Sequence, residues 1–345
     1  MSARARIIPV FVPHLGCPHR CVFCDQRRIS GSESPATAET VKQAIARAAA
    51  LPSVGAKRQL AFYGGSFTAI PALQQEELLG AAQEAIRQGS IDSIRLSTRP
   101  DAIDESVLAR LRRFGVETVE LGAQSMDEDV LRLSGRGHTA ADVESAAMAV
   151  RAAGFSLVLQ MMTGLPGDDA HKDLETARRL IALRPDAVRL YPTVIVRGTA
   201  LCELWRAGEY REHTVEDAVE ICARLLPRFE SAGIEVIRIG LNPTAELSGG
   251  AAVAGAYHPA LGELVKSRVY LERARSLLAG TAPQSRVRLG VSSRAVSQMT
   301  GQKRANLRAL EEEFQLSSVT VVPCEMKNGE IVCLSVEKDG KVVYT

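Results

Sequence analysis

From Arg6 to Gly240 short apolar stretches alternate with amphipathic ones, and this repeat constrains the fold more than any other feature. RIIPVFV (6–12), QLAFYGG (59–65), SIRLSTRP (93–100), ETVELGAQS (117–125), SLVLQMMTGLPG (156–167), AVRLYPTVIV (187–196) and GIEVIRIG (233–240) read as strands. Between them, 36–50, 71–88, 104–114, 127–133, 139–153, 170–183 and 215–232 carry helical spacing. Such alternation builds βαβ units around a parallel sheet. The expected fold is α/β, a partial or complete parallel βα barrel, with an open doubly wound sheet as the other solution. The barrel is favoured by where the unusual residues fall. Gly64, Gly65, Ser66, Thr98, Arg99, Gln124, Ser125, Gly164 and Tyr191 all lie at carboxyl ends of expected strands, the face on which βα barrels build their sites.

Composition shifts after about residue 245, so the expected domains are a barrel core over 1–245 and a small C-terminal α/β extension over 246–345. LSGGAAVAGAYHPALG (247–262) reads as a loop, 263–279 as a helix, 286–292 as a strand and 293–313 as helical. The last stretch reads as two or three strands turning at Asn328-Gly329 and Asp339-Gly340, with Cys324 and Cys333 facing each other across a hairpin. The 345 residues can bury a large core, and 46% hydrophobic with 24% charged residues is ordinary for a globular protein. No apolar run reaches the roughly 20 residues that span a bilayer, and the N-terminus lacks a signal-peptide cleavage pattern. A cytoplasmic protein without a membrane partner is expected. Of seven cysteines, Cys202, Cys222, Cys324 and Cys333 are scattered and read as core thiols.

The other three are not scattered. Cys17, Cys21 and Cys24 sit at C-x3-C-x2-C spacing within HLGCPHRCVFCD. Three thiolates so close can wrap one face of an iron–sulfur cube and leave its fourth iron open, where a fully protein-held cluster takes four. Zinc, with His14 or His19 as fourth ligand, is the competing reading, although the usual second ligand pair is missing. A redox dithiol is disfavoured by the spacing.

Residues 17 to 24 resemble the signature of the radical S-adenosylmethionine (radical SAM) enzymes. The resemblance implies a 4Fe-4S cluster on Cys17, Cys21 and Cys24 whose open iron is chelated by S-adenosylmethionine. It also implies an electron donor as partner and reductive cleavage to a 5′-deoxyadenosyl radical that abstracts hydrogen from a substrate. Phe23 matches the family's aromatic position beside the adenine. Gly64 and Gly65, with Ser66, match the turn that bonds the methionine amino group. Ser97-Thr98-Arg99-Pro100-Asp101 and Gly122-Ala123-Gln124-Ser125 resemble strand ends of the branch holding the Elongator catalytic subunit and oxygen-independent coproporphyrinogen oxidase. In that branch the residues matching Gln124 and Arg136 contact SAM, and a guanidinium can hold the carboxylate in bidentate fashion. His138 reads equally as a structural histidine or a group near substrate. Gln160 stands where the oxidases carry a ribose-binding aspartate, a departure that an amide can still serve.

Tyr191-Pro192-Thr193, Arg197-Gly198-Thr199 and Leu201-Cys202-Glu203-Leu204-Trp205 closely resemble the sixth-strand region of the Elongator subunit, with Tyr191 a candidate to line the mouth beside the substrate. No Arg/Gln-x-x-Gly-x-Gly/Ala loop follows residue 245, so acetyl transfer is not carried over. RNA modification is the implied substrate class. Residues 263–308 hold ten Lys or Arg against Glu263 and Glu272, a patch able to track tRNA or other RNA. The plainer alternative is a solvated helix face balanced by Glu311 to Glu313. A non-catalytic RNA- or protein-binding module with a structural or sensory cluster is the reading of another class, and turnover separates the two.

Overall fold

The structure is a computed structural model describing residues 6–12, 21–25, 35–50, 57–327 and 329–344. It falls into two compact units, Met1–Ala218 with Arg228–Pro259, and Val219–Pro227 with Ala260–Thr345.

In chain order the first part contains β1 (Arg6–Val12), α1 (Ala38–Ala49), β2 (Arg58–Gly64), α2 (Ala72–Arg87), β3 (Ser93–Thr98), α3 (Glu105–Arg113) and β4 (Val116–Gln124). Then come α4 (Glu128–Leu133), α5 (Ala140–Ala152), β5 (Ser156–Thr163), α6 (Ala170–Ala182), β6 (Ala187–Pro192) and β7 (Val194–Val196). It closes with α7 (Ala200–Arg206), α8 (Val215–Ser231), β8 (Glu235–Ile239) and β9 (Ala252–Gly255). The helices start where short polar side chains can take up free backbone N–H groups. Thr37, Thr139 and Thr214 each form a reciprocal capping box, and Asp104, Asp127 and Asp169 cap alone.

Seven strands form one all-parallel sheet in the order β1-β2-β3-β4-β5-β6-β8. One side of the strands is apolar and fully buried: Leu60, Phe62, Ile94, Leu96, Val119, Leu121, Leu157, Leu159, Val188 and Leu190. The other side carries Tyr63, Arg95, Ser97, Glu120, Gln160 and Arg189. β2 and β6 lie four strand spacings apart, ~19 Å on a flat sheet. Yet Arg189 Nη2 donates to the Tyr63 hydroxyl at 2.8 Å. The sheet is therefore curled, with its polar side concave. β1 and β8 stand at the two ends of the order and do not pair with each other among the described residues, so this is a half-barrel of seven strands.

Two expectations here need correction. Residues 187–196 are not one strand. At Thr193 the backbone N–H turns to the Thr163 carbonyl, and β7 then pairs antiparallel with β9, inside the segment read as a loop.

The second unit contains α9 (Leu261–Leu278), β10 (Arg286–Ser292), α10 (Val296–Thr300), α11 (Ala305–Glu313), β11 (Ser318–Cys324), β12 (Ile331–Lys338) and β13 (Lys341–Tyr344). Its sheet runs β11-β10-β12-β13, with β10 parallel to β11 and antiparallel to β12. Tyr270, Ala274, Leu278, Val287, Leu289, Val291, Met299, Leu307 and Leu310 form its core. The helix expected over 293–313 is broken at Gly301–Arg304. The hairpin expected between Cys324 and Cys333 does not form, because β10 lies between their strands. Asn328 lies outside the described residues. No helix among the described residues is long and apolar enough to cross a membrane.

Candidate functional site

The concave side of the half-barrel encloses a cavity of about 480 Å³, within the ~300–1,000 Å³ usual for small-molecule sites. Alternate residues of successive strands line it: Phe11 of β1, Tyr63 of β2, Ser97 of β3, Gln124 of β4, Gln160 and Met162 of β5, Arg189 and Tyr191 of β6, and Arg238 of β8. Phe23, Cys24 and Gly64 close the end at which the strands finish.

The cysteine stretch is tied in by backbone bonds. Val22 N–H donates to the Ser134 carbonyl at 3.0 Å, and Leu201 N–H donates to the Val22 carbonyl at 2.8 Å. Cys24 N–H reaches the Cys21 carbonyl at 3.1 Å, so the two thiols share one turn. Phe23 packs against the cluster of Val130, Met162 and Leu165, as does Tyr191. Cys17 lies outside the described residues, as do His14 and His19.

Five residues surround this end. Gly64 has φ 105°, which a side chain would oppose, and Gly65 N–H bonds the Val12 carbonyl. Gln124 lines the cavity with φ 65°, in the left-handed region. A non-glycine residue held there marks stored strain. Its Oε1 is buried and has no hydrogen-bond partner among the described residues. Arg136, 7% exposed, donates from Nη1 to the Cys21 sulfur at 3.5 Å and from Nη2 to the Gly122 carbonyl at 2.6 Å, while its Nε has no partner among the described residues. His138 bonds the Ala123 carbonyl at 3.1 Å. Burial, then the Arg136 charge, lowers its pKa to about 4, so it is neutral at pH 7.

Ser66 and Thr98 stand apart from the cavity. Both are buried, their hydroxyls 2.9 Å from each other, and Thr98 also meets Thr68 at 2.6 Å. Arg99 N–H donates to Ser66. They brace the turn after β2 from behind. Gln160 does line the cavity, donating to Ser97 at 3.3 Å and to Glu120 at 3.0 Å. Tyr191 lines it too, and burial pushes its hydroxyl pKa up.

Deeper in, Glu120 is fully buried and accepts from Arg95 Nη1 at 2.8 Å, Arg189 Nε at 2.9 Å, Arg189 Nη2 at 3.0 Å and the Tyr63 hydroxyl at 3.0 Å. Burial alone would raise its pKa, but the charges and hydrogen bonds of Arg189 and then Arg95 outweigh burial and hold it below the usual value. Two guanidiniums face one carboxylate, so the floor is biased toward anions. Sequence reasoning gave no role to Tyr63 and Ser97 and missed Glu120 and Arg189. The available signal was a charge in the middle of an otherwise apolar strand, repeated in 93–98, 116–124 and 187–192.

A radical SAM superfamily model matches residues 11–180, and a model of the radical SAM C-terminal domain matches 185–271. The chain belongs to the radical SAM superfamily. It is 38% identical over 136 residues to human Elongator complex protein 3, covering 39% of this chain and 25% of that one. It is 29% identical over 237 residues to a tRNA uridine(34) acetyltransferase of Dehalococcoides mccartyi, covering 59% and 52%. The fold superposes on that of Elp3 from the archaeon Methanocaldococcus infernus with a TM-score of 0.63 at 20% identity, over 79% of this chain and 64% of that one. The chain thus spans between a quarter and about half of these curated relatives' length.

The superfamily implies a 4Fe-4S cluster and SAM, and the donors present fit them. Two thiols share one turn, Cys24 faces the cavity, a buried guanidinium bonds the Cys21 sulfur, and a buried amide oxygen in the cavity wall has no donor among the described residues.

Proposed function

We propose that the protein is a radical SAM enzyme that modifies RNA, with Cys17, Cys21 and Cys24 holding a 4Fe-4S cluster and SAM seated in the cavity beside it. The observation that carries the reading is the buried Gln124 oxygen, without a partner among the described residues, on a strained backbone in the same cavity wall as Cys24 and Gly64. Strain and an unmet acceptor persist where a ligand compensates them. Bound there, the cluster and SAM would supply one-electron cleavage of the sulfonium and hydrogen-atom abstraction.

The chain's own part is binding and exclusion of water. Gly64 and Gly65 open the backbone to the methionine end, and Gln124 accepts from its amino group. Phe23, packed on the cluster of Val130, Met162 and Leu165, offers a face to the adenine, and Gln160 reaches the ribose. Arg136 bonds the Cys21 sulfur, its Nε remaining for the SAM carboxylate. Tyr191 borders the space left for substrate. The names of the tRNA-modifying relatives support an RNA substrate, and residues 263–308 are the stretch through which we propose it is held. An electron donor is required, and we assign the protein to the cytoplasm.

The test is anaerobic incubation of the reconstituted protein with dithionite, SAM and a tRNA pool. It should release 5′-deoxyadenosine and leave a new nucleoside mass in the RNA. Cluster and SAM bound without any 5′-deoxyadenosine would refute the enzyme and favour a non-catalytic module.

A further inference from the structure

Residues 293–310, SRAVSQMTGQKRANLRAL, contain Arg294, Lys303, Arg304 and Arg308 and no acidic residue, in a chain whose 42 basic residues nearly balance 40 acidic ones. All four side chains are exposed. They ride on one construction. β10 leads into α10, a tight turn joins α10 to α11, and α11 leads into β11, which pairs parallel with β10 and forms the sheet's edge.

The turn is rigid. Asn306, 7% exposed, donates from Nδ2 to the Ser267 carbonyl at 2.9 Å, the Ser267 hydroxyl at 3.0 Å and the Gln298 carbonyl at 3.1 Å, fastening α11 to α9 and α10. Gly301 has φ 74°, and a Cβ there would stand 2.9 Å from the Asn306 nitrogen. Lys303 and Arg304 then adopt φ 50° and 64°. Two successive left-handed residues cost roughly 1–2 kcal/mol each, and natural chains keep such strain where it positions something. Here it lifts two cations off the helix ends into solvent. Lys303 and Arg294 have no ion-pair partner among the described residues; Arg304 Nη2 lies 4.0 Å from Glu311, and Arg308 spends Nη2 on the Lys303 carbonyl.

We infer that the Gly301–Arg304 turn, flanked by Arg294 and Arg308 and by the β11 edge, is a backbone clamp for single-stranded RNA. The chemistry is that of KH modules, in which a glycine-led turn grips four nucleotides of backbone. This chain departs in ending the turn on Arg304 instead of glycine, yet Arg304 keeps the left-handed backbone a glycine would take. The absence of an aromatic from the segment assigns it to phosphate tracking rather than base stacking. The inference rests on the RNA-substrate part of the function proposed above, and sharpens 263–308 to one turn.

The test is fluorescence anisotropy of the full-length protein with a short fluorescein-labelled oligouridylate across a salt series. Wild type should bind with a steep salt slope. Lys303→Asp with Arg304→Asp should weaken binding roughly tenfold or more and flatten that slope. Should that pair fail to fold, Lys303→Gly with Arg304→Gly suits the left-handed backbone and should still weaken binding. Lys338→Asp with Lys341→Asp, the same charge change on the hairpin at the sheet's other edge, should leave affinity unchanged. Equal loss from both aspartate pairs overturns the inference in favour of diffuse charge, as does absent binding or equal binding of labelled polyglutamate. A chain that releases 5′-deoxyadenosine yet ignores the oligonucleotide overturns this inference alone. One that binds RNA yet releases none overturns the radical reading alone.

Discussion

The two ends of the half-barrel cavity are built on opposite rules. At the floor Glu120 accepts from Arg95, Arg189, Tyr63 and Gln160, its charge fully matched. At the rim Gln124 Oε1, Arg136 Nε and His138 Nδ1 are buried without partners among the described residues, and Gln124 sits on left-handed backbone. A satisfied network holds strands in register, and an unsatisfied one waits for a ligand. The floor is therefore where the cavity gets its shape, and the rim is where it gets its chemistry.

Substitutions at the two ends should separate on two readouts, stability and cofactor binding. The largest effect belongs to Cys21→Ala. It should abolish the cluster, seen as loss of absorbance near ~400 nm, without touching the floor; an intact spectrum would remove Cys21 from the ligand set. Glu120→Ala leaves two guanidiniums without their carboxylate. It should cost about 3–5 kcal/mol in urea unfolding, and a loss below ~1 kcal/mol would show that the floor is not structural. His138 gives the rim its own pH signature. Its pKa falls from 6.5 to about 4 on folding, so the unfolded chain takes a proton that the native state refuses. Its contribution is present above pH 6.5 and is lost as pH falls toward 4, about 3 kcal/mol when complete. His138→Gln should remove that part of the wild-type pH dependence, and an unchanged profile counts against it. Smallest is Gln124→Gly, which relieves the left-handed strain. Stability should move by less than ~1 kcal/mol while SAM affinity drops roughly tenfold, one hydrogen bond's worth. A variant that loses stability and keeps affinity would reverse the contrast between rim and floor.

That contrast was half legible in the residues alone. The strands of the half-barrel follow from apolar runs bounded by turn residues, and the rim from glycines and amides at their carboxyl ends. The floor was hidden because an inward Glu120 makes sense only once Tyr63 and Arg189, 126 positions apart in the chain, converge by curling. Non-local pairing also hid β7 with β9, since Val194–Val196 looks continuous with β6 until Thr193 turns to β5. The same holds for Cys324 and Cys333. Their near-symmetric flanks suggest a hairpin, but β12 crosses to the far side of β10 instead. The break at Gly301–Arg304 was masked by good helix formers on both sides, and only its left-handed geometry exposes it.

In the proposed site three cysteine thiolates leave one iron of the cluster open to SAM. Electron paramagnetic resonance of the dithionite-reduced protein, recorded before and after adding SAM, tests it directly. A changed cluster signal on SAM addition is the predicted result. A reduced 4Fe-4S signal that SAM leaves untouched, at concentrations where SAM is shown to bind, would mean that a fourth protein ligand closes the cube.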